Sequence, residues 1–285
     1  MAVTAAQVNE LRKKTGVGMM DCKKALVESG GDMEKAIEIL RKKGTAVAAK
    51  RAEKAANEGL VLTKISGDKK RGTIIELNCE TDFVAKSKDF VVLANQVLES
   101  AYEQKSATVD DLLNGNGELQ DKVTEVLGKV GEKIEISRIA NEEAKNGLLI
   151  DYIHMGSKLA VLVKFDSVNE GADELSEIGK DIAMQVAAMN PICVKRDDVP
   201  EDTIAKEIEI YKEVARKEGK PENIIDKIAN GKLNKFYQES VLTEQVYIKD
   251  NTKTVSDLIK DFNAKHNSKV NIFLFHRFHL GDEKK

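Results

Sequence analysis

The strongest constraint on what this chain can fold into is a repeat inside it. GLVLTKI at residues 59–65 is echoed by GLLIDYI at residues 147–153, 88 positions later. Each copy opens on a glycine and runs on through leucine and β-branched residues. Each is followed by a polar loop, a second β-rich run (73–78 or 159–165) and a segment of helical periodicity (90–102 or 172–190). β-rich runs of this length between polar breaks specify strands, and apolar residues at i, i+3, i+4 specify helices, so two related ββα units are expected. Each unit can bury one face of a small antiparallel sheet under its helix, which places the fold in the α+β class. KIEISRI at 133–139 and NIFLFHRF at 271–278 are placed to add a third strand to each sheet.

Three short helices are expected ahead of the repeat. Thr4 and Gln7 make a capping box, and Ala5, Val8 and Leu11 share a face before Gly16. A second helix, about 19–29, turns Cys22, Ala25, Leu26 and Ser29 inward and ends at Gly30-Gly31. The third starts at the cap Asp32, buries Met33, Ala36, Ile37 and Leu40, and is expected to stop before Gly44. Together they resemble a bundle of the ubiquitin-associated type, near the lower size limit for independent folding. TAVAAKRAEKAAN at 45–57 has no bulky face after Val47 and reads as a solvated helical connector with a hinge.

Further along, Ile204, Ile208, Tyr211 and Ala215 form one stripe. Ile224, Ile225, Ile228, Leu233 and Phe236 form a returning stripe beyond the turn Gly219-Lys220-Pro221. This pattern describes an antiparallel coiled-coil hairpin projecting from the core. The expected division is a partner-binding bundle over 1–44, a connector over 45–57 and a first core subdomain over 58–145. A second subdomain takes 146–198 and 238–285, with the hairpin inserted over 199–237.

Charge narrows the choice of partner. With 45 Lys and Arg against 48 Asp and Glu, the net charge is −3, so no overall positive field draws the chain to nucleic acid or a membrane surface; a protein partner fits better. The N-terminus has neither a signal-peptide run nor an Arg-rich transit face, and apolar runs such as 159–163 are too short for a bilayer. A soluble, cytoplasmic protein is expected. Cys22, Cys79 and Cys193 are scattered and odd in number, which reads as buried thiols. His276 and His279 lie three apart in an extended run, hence on opposite faces, without the further ligands that zinc needs. Neither Gly16-Val17-Gly18 nor the 67–72 loop ends in Gly-Lys-Ser/Thr, and no Gly-x-Ser-x-Gly or His-Glu-x-x-His occurs. No metal, cofactor or covalent chemistry is expected.

One residue stands out against this background. In NCETDFVAKSKDF (78–90), Phe83 occupies the polar junction between a strand and a helix. It is either a staple packing on Val84 or Phe90, or an aromatic anchor presented to a partner. Asp82 can cap the following helix and also bind. At the matching place the second unit has Val168-Asn169-Glu170-Gly171, with no aromatic, so the repeated core does not require Phe83. Met19 and Met20 are adjacent on a helix and point about 100° apart, so at least one should be exposed.

TGVGMMDCKKALVES (15–29), NCETDFVAKSKDF (78–90) and YIHMG (152–156), in that order and with a helical hairpin downstream, resemble the bacterial elongation factor Ts family over nearly the whole chain. The resemblance implies a guanine-nucleotide exchange factor that binds the GDP form of the GTPase elongation factor Tu, loosens GDP and Mg²⁺, and leaves when GTP enters. It implies that Thr81, Asp82, Phe83 and Val84 enter the GTPase beside its magnesium site, with Asp82 and Phe83 leading. It further implies that Val17, Met19 and Met20 touch the nucleotide domain and that His154 lies toward another domain of the partner. Such a factor needs no catalytic residue, because it only has to bind better to a state whose phosphate cradle is displaced.

Two features depart from the family pattern. Gly156-Ser157-Lys158-Leu159-Ala160 replaces the usual Gly-rich Arg-Ile-Gly run, and the chain stops at Lys285 without the extra C-terminal helix of some members. A homodimer or a 2:2 complex is left open. The competing readings are a non-catalytic adaptor acting through the bundle and a thiol hydrolase on Cys79 and His154, for which no orienting acid is identifiable.

Overall fold

The caps at Thr4 and Asp32 and the glycines at 16 and 30–31 divide the N-terminal region as its sequence predicts. The computed structural model describes residues 3–282. Helix α1 (Ala5–Thr15) starts at the Thr4–Gln7 capping box and ends at Gly16 in the left-handed region; α2 (Met19–Glu28) follows Gly18. Helix α3 (Met33–Arg51) begins where Asp32 accepts from Glu34 N and Lys35 N. Leu11, Cys22, Leu26 and Ala36 meet at the centre of this bundle.

Contrary to the expected stop, α3 runs through Gly44 to Arg51. Glycine in a helix interior costs about 1 kcal/mol relative to alanine, and packing against the first core offsets that cost. Val47 and Ala48, in the segment expected to be a solvated connector, pack against that core.

The first sheet comprises β1 (Glu58–Ile65), β2 (Arg71–Cys79) and, after the single turn α4 (Asp82–Ala85) and the helices α5 (Lys88–Gln104), α6 (Val109–Asn114) and α7 (Gly117–Val130), β3 (Ile134–Glu143). The strands are antiparallel in the order β1-β2-β3. Ile75, Leu77, Phe90, Leu93, Val97 and Leu119 fill the space between this sheet and its helices. The second sheet takes β4 (Leu148–Ile153) and β5 (Leu159–Asp166), followed by α8 (Ala172–Met189). After α9 (Glu201–Lys217), α10 (Glu222–Ser240), the short pair β6 (Val246–Tyr247) and β7 (Asp250–Thr254), and α11 (Val255–His266), the chain returns as β8 (Asn271–His279) beside β5. The α+β class expected from the sequence is the class observed.

The repeat has a physical basis in this geometry. A Cβ on Gly59 would lie 2.0 Å from Leu77 O, and one on Gly147 would lie 1.7 Å from Phe165 O, the carbonyl 88 positions further on. Register shifts fall at Glu76/Leu77 in one sheet and Lys164/Phe165 in the other, again 88 apart. The β1–β2 turn reaches over the second sheet, where Leu149 N donates to Lys69 O at 2.9 Å. The β4–β5 turn reaches over the first, where Val61 N donates to Ser157 O at 2.7 Å. Val61, Ile74, Leu149 and Leu162 form the core between the sheets, and Thr63 donates a hydrogen bond to its own counterpart, Asp151. Equivalent residues touching one another are what an internal two-fold relation produces.

The hairpin of α9 and α10 starts each helix after a proline, and Ala215, Ile225, Ala229, Leu233 and Tyr237 are its buried seam. At its base the Arg196 guanidinium lies 4.2 Å over the Tyr237 ring and donates to Glu244 at 2.7 Å. No helix among the described residues is long and apolar enough to cross a membrane.

Candidate functional site

At the end of β2, Thr81 turns the chain into α4. Its backbone is extended, its hydroxyl accepts from Val84 N at 3.4 Å, and its carbonyl accepts from Ala85 N at 3.2 Å. Glu132, between α7 and β3, accepts two more bonds from Thr81, one from N at 3.0 Å and one from Oγ1 at 2.8 Å. The preceding Glu80 accepts from Lys133 N at 2.6 Å and from Arg51 Nη1 at 2.9 and 2.7 Å. Burial opposes charge at Glu80, but these bonds outweigh it and hold the carboxyl below its ordinary range. Val84 and Ala85 are buried in the first core beneath.

That leaves two side chains outside. Asp82 pairs with Lys86 at 2.7 Å, and the hydrogen bond from Lys86 lowers the Asp82 pKa. Phe83 is 83% exposed. The staple reading is therefore set aside, since Phe83 does not bury itself on Val84 or Phe90. Nor does Asp82 cap a helix: Thr81 caps α4 and Ser87 caps α5.

The turn between β4 and β5 stands nearby. Gly156 and Ser157 both have positive φ (89° and 54°), which bends the chain tightly enough for Ser157 N to donate to His154 O at 2.9 Å. His154 is exposed, and its Nδ1 lies 2.9 Å from the Tyr152 hydroxyl. Beside it, Met155 is 91% exposed. Lys158 bridges to Glu58 at the start of β1 at 2.7 Å. After Lys86, Lys158 also contributes to lowering the Asp82 pKa. Asp82 and Phe83 face out from α4, while His154 lines a hollow with Tyr152, Met184 and Ile248 on the second unit.

The bundle presents a separate face. Met19 and Met20 are 50% and 64% exposed, and Val27 joins them on the outside of α2. Val17 does not: at 8% exposure it belongs to the bundle core, because the turn after Gly16 folds it over Cys22, whose thiol donates to Val17 O at 3.4 Å. Of the residues implied to bind a partner, Thr81, Val84 and Val17 are therefore inward supports, while Asp82, Phe83, Met19, Met20 and His154 face out.

A family model described as Elongation factor TS matches residues 80–282. Elongation factor Ts of Chlorobaculum parvum is 48% identical over 286 aligned residues, covering 98% of this chain and 99% of that protein. The proteins of the same name from Chloroherpeton thalassium and Christiangramia forsetii are 44% and 47% identical, again over 99% of their lengths. The chain belongs to the elongation factor Ts family.

In this elongation factor Ts family member the thiol-hydrolase reading fails on its nucleophile. Cys79 is buried, and burial, with a smaller contribution from the Glu132 charge, pushes its thiol up to about 12, leaving almost no thiolate near neutral pH. His276 Nε2 lies 2.9 Å from Glu142, while His279 Nδ1 accepts from Gly281 N, so the two do not converge. Among the described residues no group of three or more metal-ligating side chains comes together.

Sequence reasoning does not single out Met155, Glu132 or Arg51. Met155 carries a readable signal, an unbranched apolar side chain in the polar turn HMGSK, the same anomaly that marks Phe83. Glu132 and Arg51 carry none, because their partners lie 51 and 29 residues away.

Proposed function

We propose that this protein is a guanine-nucleotide exchange factor that binds elongation factor Tu in its GDP form and promotes release of GDP and Mg²⁺ during translation elongation. Phe83 carries the reading: it is exposed on a turn that Val84 and Ala85 fasten into the core. An aromatic held in this way loses little further freedom on insertion, and truncating such an anchor removes about 2 kcal/mol or more of binding. Asp82, ionised at neutral pH, stands beside it toward the partner's magnesium site. Met19 and Met20 engage the nucleotide domain, and His154 with Met155 faces another domain of the GTPase.

In this reading the two ββα units are related subdomains that carry a ubiquitin-associated-type bundle and an inserted hairpin. The protein works in the cytoplasm without direct contact to nucleic acid. No bond is made or broken. The factor binds better to the state in which GDP is loosely held, and by linkage GDP weakens the factor's own binding to the same extent.

Release of a fluorescent GDP from purified elongation factor Tu tests the proposal. Catalytic amounts of wild type should accelerate release, and no acceleration would sink the exchange reading. Phe83→Ala should retain the fold, since the side chain is exposed, and slow release by roughly thirtyfold for a 2 kcal/mol loss. An unchanged rate in that variant would remove Phe83 from the mechanism.

A further inference from the structure

Helix α3 joins the bundle to the α4 turn physically. It gives Ala36 and Leu40 to the bundle core and packs Val47 and Ala48 on the first core. It ends with Arg51 bound to Glu80, the residue before Thr81. Its 19 residues span about 28 Å. Midway it crosses α7, and both helices present a glycine there. A Cβ on Gly44 would sit 2.9 Å from the backbone carbonyl of Thr124, and one on Gly128 would sit 3.3 Å from Gly44 Cα. Arg41 pairs with Asp121 beside the crossing, and Lys129 extends over Gly16 toward Asp89 (3.5 Å) and Glu125 (3.4 Å). The flank is unfilled: a cavity of about 130 Å³ lies among Val17, Ile37, Leu40 and Thr124. Close backbone approach at two glycines, together with Val47 and Ala48 on the first core, seats the bundle.

Were the bundle free, alanine at either position would give a more stable helix by about 1 kcal/mol. We propose that Gly44 and Gly128 are positioning residues for exchange: their crossing fixes the Met19–Met20 face relative to Phe83, so that one GTPase molecule meets both at once. This rests on the exchange reading above. Two contacts on one rigid frame bind with a high effective concentration, and a bundle that swings loses that advantage.

The test uses full-length Gly44→Ala, Gly44→Leu and Gly128→Ala. Alanine raises the intrinsic helicity of α3 or α7 while its Cβ crowds the crossing, so a change in docking is not a loss of helix. Labels at Lys24→Cys on α2 and Asn95→Cys on α5, in a Cys193→Ser background, report the bundle-to-core distance with no GTPase present. Gly44→Leu should broaden that distance and raise KM for the GDP-bound GTPase at least about tenfold. The release rate at saturation should stay within about twofold, because Glu132, Val84 and Ala85 still hold the turn that bears Phe83 even if α3 shifts. The alanine variants should fall between wild type and Gly44→Leu, and they decide the matter if leucine abolishes cooperative unfolding. An unaltered distance, a broadened distance with unchanged KM, or a loss confined to the saturated rate would overturn the proposal. Because the distance is read without the GTPase, a wild type that fails to accelerate GDP release would overturn the exchange reading, while the distance still reads whether the glycine crossing holds the bundle.

Discussion

Glu132→Ala isolates what holds Phe83 in place. The Glu132 carboxylate accepts Thr81 N at 3.0 Å and Thr81 Oγ1 at 2.8 Å, and Thr81 in turn caps the turn that bears Phe83. Hydrogen bonds to a charged group contribute about 1.5–3 kcal/mol each when buried, and these are partly exposed, so removing both should lower unfolding free energy by about 2 kcal/mol. Urea denaturation reads that loss directly. Exchange should suffer as well, although Glu132 itself is not among the outward residues. A loosened α4 must be ordered again on binding, at about 1.4 kcal/mol, which is a tenfold fall in kcat/KM for GDP release. If Glu132 acts only through Phe83, the double variant with Phe83→Ala should be no slower than Phe83→Ala alone. Fully additive losses, or a destabilised Glu132→Ala with wild-type exchange, would refute the idea that turn rigidity is what makes Phe83 effective.

Gly59→Ala and Gly147→Ala should each destabilise by more than about 3 kcal/mol, because their Cβ atoms would lie 2.0 and 1.7 Å from strand carbonyls; Gly30→Ala, in open space at φ 67°, should lose only about 1–2 kcal/mol by denaturant titration. Thiol labelling of the native protein should be slow at Cys79 and Cys193, whose thiols burial pushes up to about 12 and about 11, and should become fast on unfolding. At Glu142, burial opposes the charge, but bonds from His276 and Lys164 outweigh it and depress the carboxyl pKa. Its stabilising effect is therefore present above the unfolded carboxylate pKa of about 4.3 and lost as pH falls through the lower folded value. Glu142→Gln should accordingly flatten the acid limb of the stability profile between about pH 5 and pH 3.

Much of the architecture was legible because it is written in local chemistry. The strands of both units, the caps at Thr4 and Asp32, and the hairpin stripes announce themselves through spacing over a few residues. Helices α6 and α7 are harder to read: Gly115, Gly117, Gly128 and Gly131 punctuate their region and suggest loop. Helix α11 and the β6–β7 pair occupy a charged stretch whose apolar residues, Val255, Ile259 and Phe262, make sense only against the second sheet. The premature end expected for α3 has the same origin. Glycine reads as a stop unless something across from it needs the room, and Gly128 is 84 residues away.

The candidate site divides along that line too. Sequence alone established that Phe83 is anomalous within 78–90, that the repeat lacks a second Phe83, and that no reactive constellation accompanies it, while 152–156 entered only through the family resemblance. It could not sort the residues inside each motif. Thr81 and Val84 differ from Asp82 and Phe83 only in which way they face, and that is set by Glu132 and the helix layer beneath. Val17 is adjacent to the exposed α2 face yet folds into the bundle. Periodicity records which residues prefer to be buried. Only contacts between segments distant in the chain decide which of two neighbouring side chains the interior has room for, and hence which are left for a partner.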